Sequence, residues 1–209
     1  MVPGIAAGAS GELDSLRAAC RAAVSQLIAA DLDALTVIGV DTFTVRHAPP
    51  FGGTMAPWGL EVPIGAPGGT PLPLSLLIGA WLLPEATSFV SVAADAGPGE
   101  CAALGAELVA VGRVGLLVMG DGSARRSEKA PGYVDPRAEP FDRAVAEALA
   151  KGDPEALLAL DPALAADLLA AGRAPWQVLA GAGRTEVAEL LYDEAPYGVG
   201  YLVALLTTS

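Results

Sequence analysis

The chain has 209 residues, enough to bury one substantial core without help from disulfides or metal. Its 12 Lys and Arg against 24 Asp and Glu leave a formal net charge of -12, which repels phosphate backbones and anionic lipid and so excludes nucleic acid as an expected partner. Much of the 53% hydrophobic content is alanine, and the longest apolar run, residues 72–83, is interrupted by Pro73, Ser75 and Gly79, short of the roughly 20 residues that cross a bilayer.

Ser10 reads as an N-cap, with Glu12 in the first turn, for a helix whose apolar stripe is Leu13, Leu16, Cys20, Val24, Leu27 and Ile28. The run 34–40, rich in β-branched residues and closed by Asp41, predicts a fully buried strand of a parallel sheet. Residues 42–70 hold Pro49-Pro50, Gly52-Gly53, Pro63, Pro67 and Gly68-Gly69, and read as a long loop. A buried helix over 72–83, a strand over 88–93 ending near Asp95, and a helix over 100–111 closed by Gly112 follow. The strand 114–119 then breaks into Gly120-Asp121-Gly122-Ser123 and a polar loop over 124–139.

This alternation of strand and helix is the signature of an α/β layered fold: one domain over 1–209, with a central mixed, mostly parallel sheet covered by helices on both faces. Beyond the loop, Phe141, Val145 and Leu149 repeat at helical spacing. Asp153-Pro154 and Asp161-Pro162 each set a capping carboxylate before a proline at the first helical position. Gly172 and Gly183 read as helix stops. Strands are expected over 186–192 and 199–206; the second is apolar on both faces and is expected to be central in its sheet.

Ligands of open α/β sheets sit beyond the carboxyl ends of the strands, so the rim of Asp41, Asp95 and Asp121 is where chemistry is sought. Converging carboxylates there would hold a divalent cation or polarise a hydroxyl; the alternative is that aspartate simply closes strands as a turn former. Arg125 and Arg126 would fork a carboxylate or phosphate, or else pair with nearby acids. With Lys129 and Arg137 they concentrate positive charge in one loop of an acidic protein, to be held by Asp135, Glu139 and Asp142 if the loop is structural.

His47 is the only histidine, which rules out any mechanism or metal site that needs two. The turn GDGSAR has neither a phosphate-loop nor a GxSxG pattern, so Ser123 has no nucleophile signature around it. Cys20 and Cys101 stand apart, as reduced core thiols of a cytoplasmic protein do, and no secretory leader is expected. Trp58, Trp81 and Trp176 are scattered and need no cofactor to explain them.

The segments ELDSLRAAC (12–20), LPLSLLIGAWLL (72–83), GDGSARRSEKAPGYVDPRAEPFD (120–142), APWQVLAGA (174–182) and YDEAPYGVGYLVA (192–204) together resemble actinobacterial proteins of the class III extradiol dioxygenase superfamily, of the type that forms its catalytic subunit. The resemblance implies an α/β fold and, in active members, Fe(II) held by two histidines and a glutamate, with a further histidine as acid/base, for ring cleavage with O2. It places the first histidine ahead of a segment like Met1 to Gly8, and so implies that the chain lacks the family's first strand and metal-bearing loop. The second histidine corresponds to Thr42, after Asp41, and the acid/base histidine to Arg125 or Arg126. Neither residue type can replace imidazole. Glu194 is the nearest carboxylate in the final segment.

The candidate crevice is therefore Asp41, Thr42, His47, Asp121, Gly122, Ser123, Arg125 and Arg126, with no metal ligand assigned and no cofactor expected unless the Fe(II) site is restored. The resulting expectation is a non-catalytic or functionally reassigned member binding a small anionic molecule. The alternatives are an enzyme built on Asp41, Asp121, Ser123 and Arg125, and an assembly partner, including a homo-oligomer, using the Ala- and Leu-rich last helices.

Overall fold

The β-branched run of residues 34–40 forms the strand on which the molecule is assembled. In the computed structural model, which describes residues 11–208, β1 (Ala34–Asp41) is flanked on both sides by parallel neighbours, β6 (Ser88–Ala93) and β7 (Val114–Val118). The short β2 (Val45–His47) closes the far edge antiparallel to β6, giving a four-stranded mixed sheet of order β2-β6-β1-β7.

Successive residues of β1 serve opposite faces. Val37 packs with Leu76 and Leu77 of α2 (Leu74–Leu82) and Val24 of α1 (Asp14–Ala29). Ile38 packs with Cys101 and Leu108 of α3 (Pro98–Val109) and with Ala174 and Val178 of α7 (Arg173–Gly181). A strand served by helices on both sides has no polar face, which is why it reads as an unbroken apolar run.

Helix α3 starts two residues earlier than the expected Glu100, because Pro98 takes the first helical position, where its missing N–H is not needed. It meets α7 at a glycine crossing: a Cβ on Gly105 would lie 2.0 Å from the Val178 carbonyl oxygen, and one on Gly181 would lie 2.1 Å from that of Ala102. In α1 the stripe Leu13, Leu16, Cys20 and Val24 is buried, but Ile28 is 45% exposed: it directly follows Leu27 and falls off the face. The expected cap Ser10 lies outside the described residues.

Residues 42–70 are not a single loop. Besides β2 they form β3 (Phe51–Thr54), β4 (Pro63–Gly65) and β5 (Thr70–Pro71), a small sheet of order β4-β3-β5. Its glycines, expected as turn formers, let main chains meet, as where a Cβ on Gly52 would lie 2.3 Å from the Ala66 carbonyl oxygen.

The later helices follow their caps. α4 (Ala138–Lys151) buries Phe141, Val145 and Leu149, and Gly152 ends it at φ 60°. Asp153 accepts the Ala156 N–H at 3.0 Å to start α5 (Pro154–Leu158), and Asp161 accepts the Ala163 N–H at 2.8 Å to start α6 (Pro162–Asp167). Asp161→Ala is expected to cost about 1 kcal/mol, seen as a lower urea midpoint with an unchanged slope. Gly183, at φ 130°, follows α7 as a stop, whereas Gly172 is no stop: at φ -76° it precedes α7 as its N-cap. What glycine supplies there is room, since a Cβ would meet the Trp176 ring at 2.2 Å.

The final strands, β8 (Thr185–Glu194) and β9 (Tyr201–Thr208), form an antiparallel pair of their own. The expectation that the last strand is central is corrected: β9 pairs with β8 alone. Its two apolar faces report helices above and below, not a strand at its side. Tyr201 and Val203 pack toward Leu16 and Cys20 of α1, while Leu202, Ala204 and Leu206 pack toward Phe141 and Val145 of α4. The whole is a single-domain α/β architecture of mixed sheets flanked by helices, and among the described residues no helix is long and apolar enough to cross a membrane.

Candidate functional site

The parallel register pairs Ile38 with Val118, and three residues beyond each come Asp41 and Asp121, so both carboxylates reach the same rim at the carboxyl ends of neighbouring strands. Asp95 lies two residues past Ala93, the register partner of Asp41. From this rim the candidate residues diverge. His47 sits at the opposite edge of the sheet, its Nε2 3.3 Å from Ser91 Oγ, with β6 and β1 between it and β7. Thr42 is exposed beside half-buried Asp41. The Gly-Asp-Gly-Ser turn leads away from β1 toward α7 and the β8–β9 corner, where the Gly172 N–H donates to the Asp121 carbonyl at 2.8 Å.

That turn is built on a residue outside the candidate set, Asp142 of α4. It is 1% exposed, and it accepts the Ser123 N–H at 2.7 Å, the Ser123 hydroxyl at 3.2 Å and the Arg126 guanidinium at 3.1 Å. Burial is the largest influence on the carboxyl and pushes it above the usual carboxylate range, against the pull of these donors. Gly122 and Gly200 leave the space it occupies: a Cβ on either would come within 2.9 Å of its oxygens. Main-chain bonds from the Gly122 N–H to the Gly200 carbonyl (2.7 Å) and from the Gly200 N–H to the Ser123 carbonyl (2.9 Å) join the turn to the β8–β9 corner. Ser123 and Arg126 are thus engaged in holding two halves of the molecule together.

The rest of the basic loop divides. Arg137 pairs with Asp135 at 2.8 Å and Asp167 at 3.1 Å, and its hydrogen bonds hold Asp135 down at about 2. Arg125 is half-buried, and its Nε has no hydrogen-bond partner. Lys129 is exposed.

A cavity of about 400 Å³ lies elsewhere, between β7 and β9. Every residue from Val114 to Asp121 and from Tyr201 to Thr208 lines it. Side chains of a strand alternate between faces, so a pocket on a sheet face would take every second residue, whereas one lined by each in turn lies along the strand's edge. Leu16, Cys20 and Val24 of α1 cover one side, and Leu149 of α4 with Trp176 and Leu179 of α7 the other. Among the described residues Asp121 is the only Asp, Glu, Lys, Arg or His in the lining. Burial by the surrounding protein raises its carboxyl above the ordinary value. Beside it the Tyr201 phenol is pushed up to about 12 by burial and then by that carboxylate.

Among the described residues no three His, Cys, Asp or Glu side chains come together to hold a metal ion. With one histidine, and that one beside Ser91 at the far edge, these residues do not fit a His-His-carboxylate iron centre. Neither the models of known protein families nor the curated protein sequences contain a match to the chain.

Proposed function

We propose that the chain is a non-catalytic, functionally reassigned member of the class III extradiol dioxygenase superfamily, related to its catalytic subunits and acting as a binding protein through the cleft between β7 and β9. The sequence resemblance and the α/β layering support the family reading. The observation that carries binding is the composition of the cleft: mostly apolar walls and, among the described residues, Asp121 as the one carboxylate. Such a pocket favours an apolar body with a cationic or hydrogen-bond-donating end over an anion. Arg126 is engaged by Asp142, so the fork expected for an anion is half occupied. A second reading, an anionic ligand at Arg125, draws on its unpartnered Nε.

One calorimetric titration decides between them. Decylamine is expected to bind about tenfold more tightly than decanoate, a difference of about 1.4 kcal/mol, and Asp121→Asn is expected to remove that preference. Tighter binding of decanoate, abolished by Arg125→Ala, would establish the second reading instead. Binding of neither probe would sink both.

A further inference from the structure

Tyr133 (φ 60°) and Leu169 (φ 56°) both hold a left-handed backbone, an uncommon angle for a bulky residue and one that glycine or asparagine takes more readily. Their side chains turn outward all the same: together with Val134 they are between 42% and 60% exposed. The three belong to one patch. A Cβ on Gly132 would lie 2.7 Å from Leu169 Cδ1 and 2.7 Å from Arg125 Cγ, so Leu169 and the stem of Arg125 meet over Gly132, directly before Tyr133 and Val134.

The loop beneath the patch is fixed by its main chain. The Gly132 N–H donates to the Ala124 carbonyl and the Asp135 N–H to that of Arg125, both at 3.0 Å, and the Ala124 N–H donates to the Leu168 carbonyl at 3.0 Å. These bonds set the turn, while Tyr133 and Leu169 add backbone strain to it and bury little of their own surface. Arg125 supplies the charge. Among the described residues its side chain makes no hydrogen bond and no ion pair: Nε is buried without an acceptor, and the terminal amino groups reach the surface. Asp135, whose carboxylate feels its field, gives both oxygens to Arg137, and Asp142 is held by Arg126. A guanidinium partly withdrawn from water and lacking a counter-ion gains more from an incoming carboxylate than a fully solvated one does.

We propose that Arg125, Tyr133, Val134 and Leu169 form a docking surface for a peptide segment of a partner protein that carries an acidic residue beside a large apolar one, the carboxylate on Arg125 and the apolar side chain against Leu169 and Tyr133. The surface stands apart from the cleft; it rests on the anionic reading above for its charge and names the partner. A small molecule needs a concave site that encloses most of its surface, whereas side chains this exposed offer shallow contacts that an extended chain collects one after another. Tyrosine and arginine are also the residue types that anchor protein interfaces. One carboxylate on a short segment meets the local charge, since distant charges are screened beyond roughly 8 Å at physiological salt, but a second copy of the chain or an anionic membrane brings many like charges against the formal -12.

The test titrates the whole chain with a panel of capped peptides of about eight residues, each carrying one glutamate and one phenylalanine, from adjacent to about four residues apart. At least one should bind. Its glutamine analogue should bind about tenfold more weakly, Arg125→Gln should weaken the parent peptide by as much, and the two changes together should do no more than either alone. Leu169→Asn should weaken binding about tenfold while leaving the thermal midpoint unchanged or higher, because asparagine takes the left-handed angle more readily. A Leu169→Asn chain that melts lower and binds as well as the parent would make Leu169 a packing residue and overturn the proposal. Binding by no peptide overturns it too, and if decanoate still binds through Arg125 the anionic reading stands alone. Peptide binding without decanoate binding supports the docking surface and removes a small ligand at Arg125. Preference for phosphatidylserine vesicles over every peptide, or a dimer in sedimentation that Leu169→Asn dissociates, would give the patch to a membrane or to a second copy, and either result overturns the proposal.

Discussion

Asp142→Ala is expected to lower the stability of the fold by about 3–5 kcal/mol, because it leaves the buried Ser123 N–H without an acceptor and the Arg126 guanidinium without its counter-charge. The loss extends beyond one contact, since the carboxylate sits where α4, the turn after β7 and the β8–β9 corner meet. Urea unfolding measures it, and a loss under about 1 kcal/mol would show that the node is dispensable. Arg126→Ala supplies the pH arm. The folded-state pKa of Asp142 is already raised by burial, so its favourable contribution is complete below the ordinary carboxylate value and is lost as pH rises through the raised one. Removing the arginine raises it further. The defect of Arg126→Ala should therefore be small at pH 4 and grow toward pH 8; a pH-independent defect would mean that Arg126 acts through packing alone.

Gly105→Val is expected to cost about 3 kcal/mol and to lower the thermal midpoint by several degrees. The atoms met by the new Cβ are the Val178 carbonyl oxygen at 2.0 Å and the Gly181 carbonyl carbon at 2.9 Å, both main chain, so no rotamer change relieves the clash. Helices α3 and α7 must separate, and with them the packing of Cys101 and Leu108 against Ala174 and Val178. Gly99→Ala in the same helix is the control. Nothing lies within 4 Å of its Cβ position, and exchanging glycine for alanine there should be neutral or stabilising by up to about 1 kcal/mol. Equal losses in the two variants would mean that helix propensity, not the crossing, sets the effect.

The central strands are legible in the sequence because their physics is local: residues 34–40 and 88–93 are β-branched runs buried on both faces, and the alternation with helices implies the parallel pairing that brings Asp41 and Asp121 to one rim. The Asp-Pro caps are legible for the same reason. β3, β4 and β5 are not, since two to four residues rich in glycine and proline carry no periodicity and exist only through pairing with one another.

Within the candidate site, a place after a strand end groups His47 and Arg126 with Asp121, but the direction a loop takes on leaving the rim is a tertiary property. Asp142 does carry a signal in the sequence: it stands three residues before Val145 and seven before Leu149, on the buried face of an amphipathic helix, where an acid needs a partner. The cleft carries none. It is a space between strands distant in sequence, and apolarity on both faces of β9 looks the same whether its second edge is paired or open.

Trp176 gives the cleft a voice of its own. Its indole, 5% exposed, covers Gly172 and forms part of the cavity wall, whereas Trp58 is 41% exposed on the turn after β3 and Trp81 packs around the α2 core. Emission from the three rings therefore separates by environment, with the Trp58 signal lying furthest to the red. In a Trp58→Phe background, a molecule filling the cavity contacts the Trp176 ring and leaves Trp81, which is outside the lining, untouched, so the wavelength and quenching of the native fluorescence report occupancy without any label.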